Sequence, residues 1–183
     1  MSITYKSEGI VLKRINFGEA DKIITVYSKR YGKLTLLAKG IRRMTSRKRG
    51  NLEVFNQVIF FAAKGKGMDI ITETELVESF SSLRGNLHKV ACAYQLCEMV
   101  DKLTVEESEQ DGVFELLSDN LKKLNNLSLE NYSFFLGNFG LNLLKLLGFW
   151  PHDKPVPKDF RTSLFVEEII EKELKAKNFL ARI

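Results

Sequence analysis

"DKIITVYSKRYGKLTLLAKG", residues 21–40, decides how the first half of the chain is read. Ile, Val, Thr, Tyr and Leu dominate on either side of Tyr31-Gly32-Lys33, as in two strands joined by a tight turn. Gly32 can supply the positive φ such a turn requires. Working outward, "EGIVLKRINFG" (residues 8–18) reads as a preceding strand. "NQVIFFAAKGKGMDIITETELVESF" (residues 56–80) reads as a second hairpin with Lys64 to Gly67 at its tip. About five strands with a turn signal every ten to twelve residues predict a small antiparallel β-barrel, whose closure removes vulnerable edges. An SH3-like barrel or a small sandwich would show much the same pattern.

Past residue 80 the period changes from two to 3.6. In "LHKVACAYQLCEMVDKL" (87–103), Leu87, Val90, Ala91, Tyr94, Cys97 and Val100 recur at helical spacing. "DGVFELLSDNLKKLNNL" (111–127) places Phe114, Leu117, Leu121 and Leu124 on one stripe, acids first and lysines later, as a helix dipole favours. "SLENYSFFLGNFGLNLLKLLGF" (128–149) opens on Ser128 as N-cap. It is apolar round most of its circumference, which predicts a place in the middle of a bundle. "WPHDKPVPKDF" (150–160) holds all three prolines and interrupts the pattern. A final amphipathic helix, "SLFVEEIIEKELKAKNFLARI" (163–183), follows. The expected class is therefore α+β with two domains: a β-barrel over residues 1–80 and an all-α bundle of at least four helices over residues 81–183.

The charge divides along the same line. Residues 1–68 carry 15 Lys/Arg against 4 Asp/Glu, a net +11, and the rest carries 13 against 19, a net −6. Between the two hairpins lies "AKGIRRMTSRKRG" (38–50), with Lys39, Arg42, Arg43, Arg47, Lys48 and Arg49 and no acid. Lys13, Arg14, Lys29, Arg30 and Lys33 add to it, and Phe17, Tyr27, Tyr31 and Phe55 interleave. Cations that neutralise phosphates release counterions and so bind polyanions without reading sequence. Exposed aromatics beside them suit the stacking of single-stranded bases, although most aromatics of so small a barrel belong to its core. Nucleic acid is the expected partner. An RNA-binding module, or an adaptor docking an acidic protein on the basic loop, would share these features.

Little points to catalysis. "AAKGKGMD" (62–69) lacks the order of a phosphate loop, and Ile70 stands where a dinucleotide fingerprint has its third glycine. Glu106/Glu107 and Glu167/Glu168 read as solvated acids, and Glu73 and Glu75 as the outward side of a strand. Cys92 and Cys97 lie about 140° apart on a helix and read as small core residues rather than metal ligands. His88 and His152 are far from both, so no metal site and no cofactor site is expected. The N-terminus has no signal-peptide pattern, so a cytoplasmic protein is expected.

"GIVLKRINFGEADKIITVYSKRYGKLTLLAKGIRRMTSR" (9–47) strongly resembles the opening of the RecO family of bacterial DNA repair proteins. The likeness includes the run Gly18 to Lys22, the Y-G-K turn, and A-K-G followed by basic residues and Ser46-Arg47. "ELVESFSSLR" (75–84), "LLKLLGFWP" (143–151) and "KAKNFLARI" (175–183) resemble later passages of the family. The resemblance implies an N-terminal OB-fold and a helical domain. It also implies binding of single- and double-stranded DNA, annealing of complementary strands, and action with RecR and single-strand-binding protein in loading the RecA recombinase. By position, Lys39, Arg42, Arg43 and Arg47 fall on the family's basic OB surface. Many members carry a four-cysteine zinc element after the "LLxLLGxxP"-like stretch. Here "HDKPVPKDFRTS" (152–163) has no cysteine, which implies a short form with a Pro-containing loop in its place.

Overall fold

The computed structural model describes residues 3–126, 131–157 and 160–180. It divides into two compact units, residues 1–79 with 105–109, and residues 80–104 with 110–183.

The first unit is a closed barrel of five strands: β1 (Thr4–Phe17), β2 (Asp21–Ser28), β3 (Gly32–Ala38), β4 (Gln57–Ala63) and β5 (Asp69–Glu78). They close in the order β1-β2-β3-β5-β4, with every neighbour antiparallel except β3 and β5. This is the OB-fold. β1 is long enough to serve two partners: Thr4 to Ile10 pair with β4, and Gly9 to Phe17 pair with β2. A register shift between Val11 and Lys13 carries the strand from one partner towards the other, as bulges do at barrel corners. Along β3 burial alternates strictly, Leu34, Leu36 and Ala38 pointing inward and Lys33, Thr35 and Leu37 outward. Val11, Ile24, Val26, Leu36, Val58, Phe60 and Ile71 form the dry centre, with Ile41 and Leu52 from the connecting segment.

β3 meets β5 only at Leu36 and Leu37, which leaves a gap in the barrel wall. A short helix, α1 (Lys48–Asn51), lies against β5 there. Asn51 donates to the Thr74 carbonyl at 3.0 Å, and the Lys48 ammonium donates to the Ile71 carbonyl at 3.0 Å. The basic stretch is therefore not a plain loop between hairpins, because its last third is folded onto the barrel. Gly32 takes φ +63° in the β2–β3 turn, as the strand pattern requires.

The second unit contains α2 (Ser81–Arg84), α3 (Leu87–Leu103), α4 (Val113–Asn126), α5 (Tyr132–Leu146), α6 (Thr162–Ile170) and α7 (Lys175–Leu180). The central helix is α3, which packs against each of the other five. α5 was the expected centre, yet it leaves Phe134 and Leu146 exposed. The reason lies in side-chain size: Ala91, Cys92, Ala93 and Cys97 make α3 narrow enough for neighbours to approach from several sides. For the same reason its buried face is wider than one stripe and is displaced from the one expected, with Leu87 and Tyr94 exposed. α4 buries Phe114, Leu117, Leu121 and Leu124, the stripe anticipated from spacing.

Asn131 caps α5 by accepting from the Phe134 amide at 2.9 Å, whereas Ser128, the expected cap, lies outside the described residues. The expected last helix is two. Glu171 enters the left-handed region at φ +51° and ends α6. The Glu98 carboxylate then accepts the Lys175 and Ala176 amides at 2.9 and 2.8 Å, capping α7 from α3. Residues 181–183 of that expected helix lie outside the described residues. In the Pro-containing segment Trp150 is buried and packs on Phe160 and Phe165, with the Lys154 ammonium 4.7 Å from its ring centre. No described helix is long and apolar enough to cross a membrane. Cys92 and Cys97 are free thiols buried in α3; burial pushes the Cys92 thiol up to about 12, so both are core groups rather than nucleophiles.

Candidate nucleic-acid interface

The β1–β2 hairpin extends beyond the barrel wall, and its register decides which cations meet. Residues directly opposite across two strands share a face. Arg14 stands opposite Ile24 and Asn16 opposite Lys22, so Arg14, Asn16 and Lys22 project to the inner side of the hairpin. The basic segment closes over that side: the Arg42 amide donates to the Ala20 carbonyl at 2.9 Å, and its guanidinium to the Gly18 carbonyl at 3.3 Å. The Gly40 amide donates to the Asp21 carboxylate at 2.7 Å, fixing the start of the segment to the start of β2. Arg49 arrives from α1. The outcome is an open recess of about 400 Å³ lined by Arg14, Asn16, Lys22, Ile41, Arg42, Arg49 and Glu53.

Four cations share this recess with one acid. Glu53 pairs with the Arg14 guanidinium, and Asn16 accepts from the Lys22 ammonium at 2.9 Å. Partial burial, together with the charges of Arg14, Arg42 and Arg49, holds the Lys22 amine below its ordinary pKa, against the pull of Glu53. A site that disfavours its own positive charge is one that a phosphate relieves.

The residues anticipated from sequence separate into three groups. Arg14, Arg42 and Arg49 converge on the recess. Lys39, Arg43 and Arg47 are exposed on the same connecting segment, and Lys13 is exposed on the opposite face of β1 from Arg14. Lys29 and Arg30 sit in the β2–β3 turn, at the far end of β2 from Lys22 and about 20 Å away by strand rise. Lys48 points inward: its ammonium bonds the Ile71 carbonyl, and burial lowers its pKa. Sequence reasoning missed Lys22 and Asn16 as lining residues. The alternation of "RINFGEADK" would have found them once the turn at Gly18 was aligned. Of the interleaved aromatics, Tyr27 and Phe55 are core, whereas Phe17 is 46% and Tyr31 38% exposed.

In the helical unit a second cavity, of about 560 Å³, opens between α3, α5 and the start of α6. Met99, Leu136 and Phe160 give it an apolar floor, and Arg161 and Lys177 also line it. Among the described residues no group of three or more His, Cys, Asp or Glu side chains is placed to hold a metal ion.

The chain matches two family models along most of its length. Residues 1–80 match the N-terminal domain of recombination protein O, and residues 84–152 match its C-terminal domain. Among curated relatives, the DNA repair protein RecO of Pelotomaculum thermopropionicum is 35% identical over 147 residues, covering 80% of this chain and 56% of the relative. That of Roseiflexus sp. is 32% identical over 152 residues, covering 80% of this chain and 51% of the relative. That of Synechocystis sp. is 37% identical over 126 residues, covering 68% and 46%. The chain thus spans about half the length of the curated relatives it matches. An OB barrel opening on "GIVLKRINFGEADK", a helical unit behind it and these two matches together place the chain in the RecO family.

Proposed function

We propose that this protein is a non-catalytic recombination mediator in DNA repair. It binds single- and double-stranded DNA through the barrel and promotes annealing of complementary strands. With RecR and single-strand-binding protein it helps load RecA. The observation that carries this reading is the convergence of Arg14, Lys22, Arg42 and Arg49 in one recess of an OB barrel. Four cations held against their own repulsion neutralise phosphates of one strand and lower the repulsion that a second strand meets. Base pairing supplies sequence specificity, so the protein has to read neither strand. Partner contacts are assigned to the helical unit, whose apolar cavity with Arg161 and Lys177 suits an acidic peptide ending in apolar residues.

The test is strand annealing across a salt series, wild type against a variant with Arg42, Arg43, Arg47 and Arg49 all changed to Gln. If about five phosphates are neutralised on a single strand, a slope of about −0.7 per contact predicts roughly a hundredfold loss of affinity between about 50 and 200 mM salt. The variant should lose most of that slope and anneal slowly. Equal annealing by both proteins would remove the assignment. Preference for RNA over a matched DNA oligomer, or affinity for neither, would point instead to an RNA-binding module or a protein adaptor.

A further inference from the structure

One segment from the far side of α3 belongs to the barrel. Val105 to Glu109 packs with residues 1–79 rather than with the helices that flank it in sequence. It lies on β3, whose outer edge is free of β5 from Gly32 to Thr35 because β5 pairs only at Leu36 and Leu37. Glu106 bridges Lys33 in parallel, and the Glu107 amide donates to the Lys33 carbonyl at 2.9 Å, so the segment adds a short strand to that edge. The Thr35 hydroxyl donates to the Glu106 carboxylate. Gly32 makes room for it: a Cβ there would stand 2.0 Å from the Ser108 carbonyl oxygen. Glu107 holds a left-handed φ of +56°, a conformation its side chain does not favour.

The strap lies beside β3 as an added edge strand, and next to it is the outer face of β1-β2-β3. Register places Lys13, Thr25 and Thr35 in one row and Ile15, Ile23 and Leu37 in the next. Ile15 is 48% exposed, and Lys39 follows at the end of β3. Apolar side chains between lysines form a surface for bases and phosphates together. Lys13 stands opposite Thr25 and Thr25 opposite the strapped Thr35, so this row leads from Lys13 to the strap across two strand spacings, about 10 Å. Of the three carboxylates in "EESE" (106–109), Glu106 is the one held on this face, at Thr35. Burial and Asp69 raise the pKa of Tyr5, the bond to Asp69 raises that of Lys64, and the charge of Glu107 adds to both.

We propose that residues 105–109 are an intramolecular acidic competitor for the DNA face. Glu106 occupies at Thr35 the position a backbone phosphate takes when a strand crosses the outer face from Lys13 over β2 to β3, and DNA displaces the strap from the edge of β3. This rests on the DNA-binding reading above and adds its regulation: the bare edge of β3 is covered until a polyanion replaces the strap.

The experiment uses the full chain and an oligothymidine of about thirty nucleotides. Amide hydrogen exchange over residues 105–108 should show the Glu107 amide protected in the free protein and losing that protection at saturating DNA. Thr35→Val removes the hydroxyl without changing charge, and Glu106→Gln removes the carboxylate. Each should tighten binding by about threefold to tenfold, since a charge-assisted bond no longer opposes the strand. Glu109→Gln makes the same charge change where the structure gives no bond to β3 and should shift affinity less than about twofold. Binding with the Glu107 amide still protected, or Thr35→Val and Glu106→Gln binding no tighter than Glu109→Gln, would overturn the strap while leaving the DNA-binding reading intact. A wild-type protein that binds no DNA would overturn both.

Discussion

The barrel and the helical unit both bury apolar side chains, but they position functional groups differently. In the barrel one alternating strand pattern sorts side chains in and out, so the inward side of a hairpin presents Arg14, Asn16 and Lys22 together. In the helical unit the cavity is assembled from Gln95, Tyr132 and Thr162, which come from three helices far apart in the sequence. The barrel's site therefore depends on register within short hairpins. The helical cavity depends on how closely the narrow α3 lets its neighbours approach. At Gly140 of α5, a Cβ would lie 2.5 Å from the Thr162 methyl and 3.3 Å from the Met99 sulfur. One missing side chain is part of what shapes that cavity.

The strongest way to break this comparison is to unfold one unit and watch the other. Phe60 is fully buried at the centre of the barrel, and Leu96 is fully buried in α3. Phe60→Ala removes about 3–5 kcal/mol from the barrel, and Leu96→Ala about 2–5 kcal/mol from the helices. The chain's one tryptophan, Trp150, is buried against Phe160 and Phe165 and so reports on the helical unit alone. In urea, Leu96→Ala should lower the midpoint of Trp150 fluorescence, and Phe60→Ala should leave it in place while lowering the midpoint of the β-sheet circular dichroism. A Trp150 midpoint that fell equally in both variants would show two units unfolding as one.

How far each unit was legible follows from the same contrast. The β-branched and aromatic residues of "KIITVYS" and "GKLTLLA", with Gly32 between, were enough to read two strands and a turn, because these signals act within ten residues. Closure into a barrel rather than a sandwich depends on pairings far apart in sequence. Arg14, Arg42 and Arg49 were legible as charge, and their meeting was not, since it depends on the Arg42 amide reaching Ala20. Lys48 looked like its neighbours in sequence, yet the helical turn it begins aims it at Ile71. The strap was invisible because Glu106 pairs with Lys33 across more than seventy residues, and a pair of adjacent acids reads as solvated surface. Hydrophobicity alone favoured α5 as the centre of the helices. Side-chain size chose α3.

A smaller effect sharpens the comparison, since each unit holds a shielded carboxylate paired with a lysine. Asp69 of the barrel accepts from the Tyr5 hydroxyl at 2.8 Å, the Lys64 ammonium at 2.9 Å and the Gly65 amide at 3.3 Å. Glu167 of α6 accepts from the Lys177 ammonium at 2.8 Å and the Leu174 amide at 3.0 Å. Burial alone would raise both carboxyls, but the bonds and the lysine charges hold both below the usual carboxylate range. Their contribution is complete above the ordinary carboxylate pKa and is lost as pH falls through the depressed folded value. Asp69→Asn and Glu167→Gln should each remove about 1–2 kcal/mol at neutral pH. Each variant should converge with wild type in acid. Asp69→Asn should act on the sheet signal and Glu167→Gln on Trp150; a reversed assignment would break the division.

The smallest effect separates stability from binding inside the recess itself. Lys22 faces Arg14, Arg42 and Arg49, with Glu53 the one acid lining the recess and already paired with Arg14. Partial burial and those three cations lower its pKa in the folded chain. In the alkaline window between that value and an unfolded lysine's, the unfolded chain binds more protons, so stability rises with pH there. Lys22→Met removes both the repulsion and that rise. It should raise stability by no more than about 0.5 kcal/mol, as surface changes do, while flattening the alkaline limb of the stability profile. On DNA it should do the opposite, weakening single-strand binding and reducing the salt slope by about 0.7, one phosphate contact. Stability and affinity moving in opposite directions distinguish a lysine held for a ligand from one held for the fold. A Lys22→Met protein with unchanged salt slope would remove Lys22 from the interface and leave the recess to its arginines.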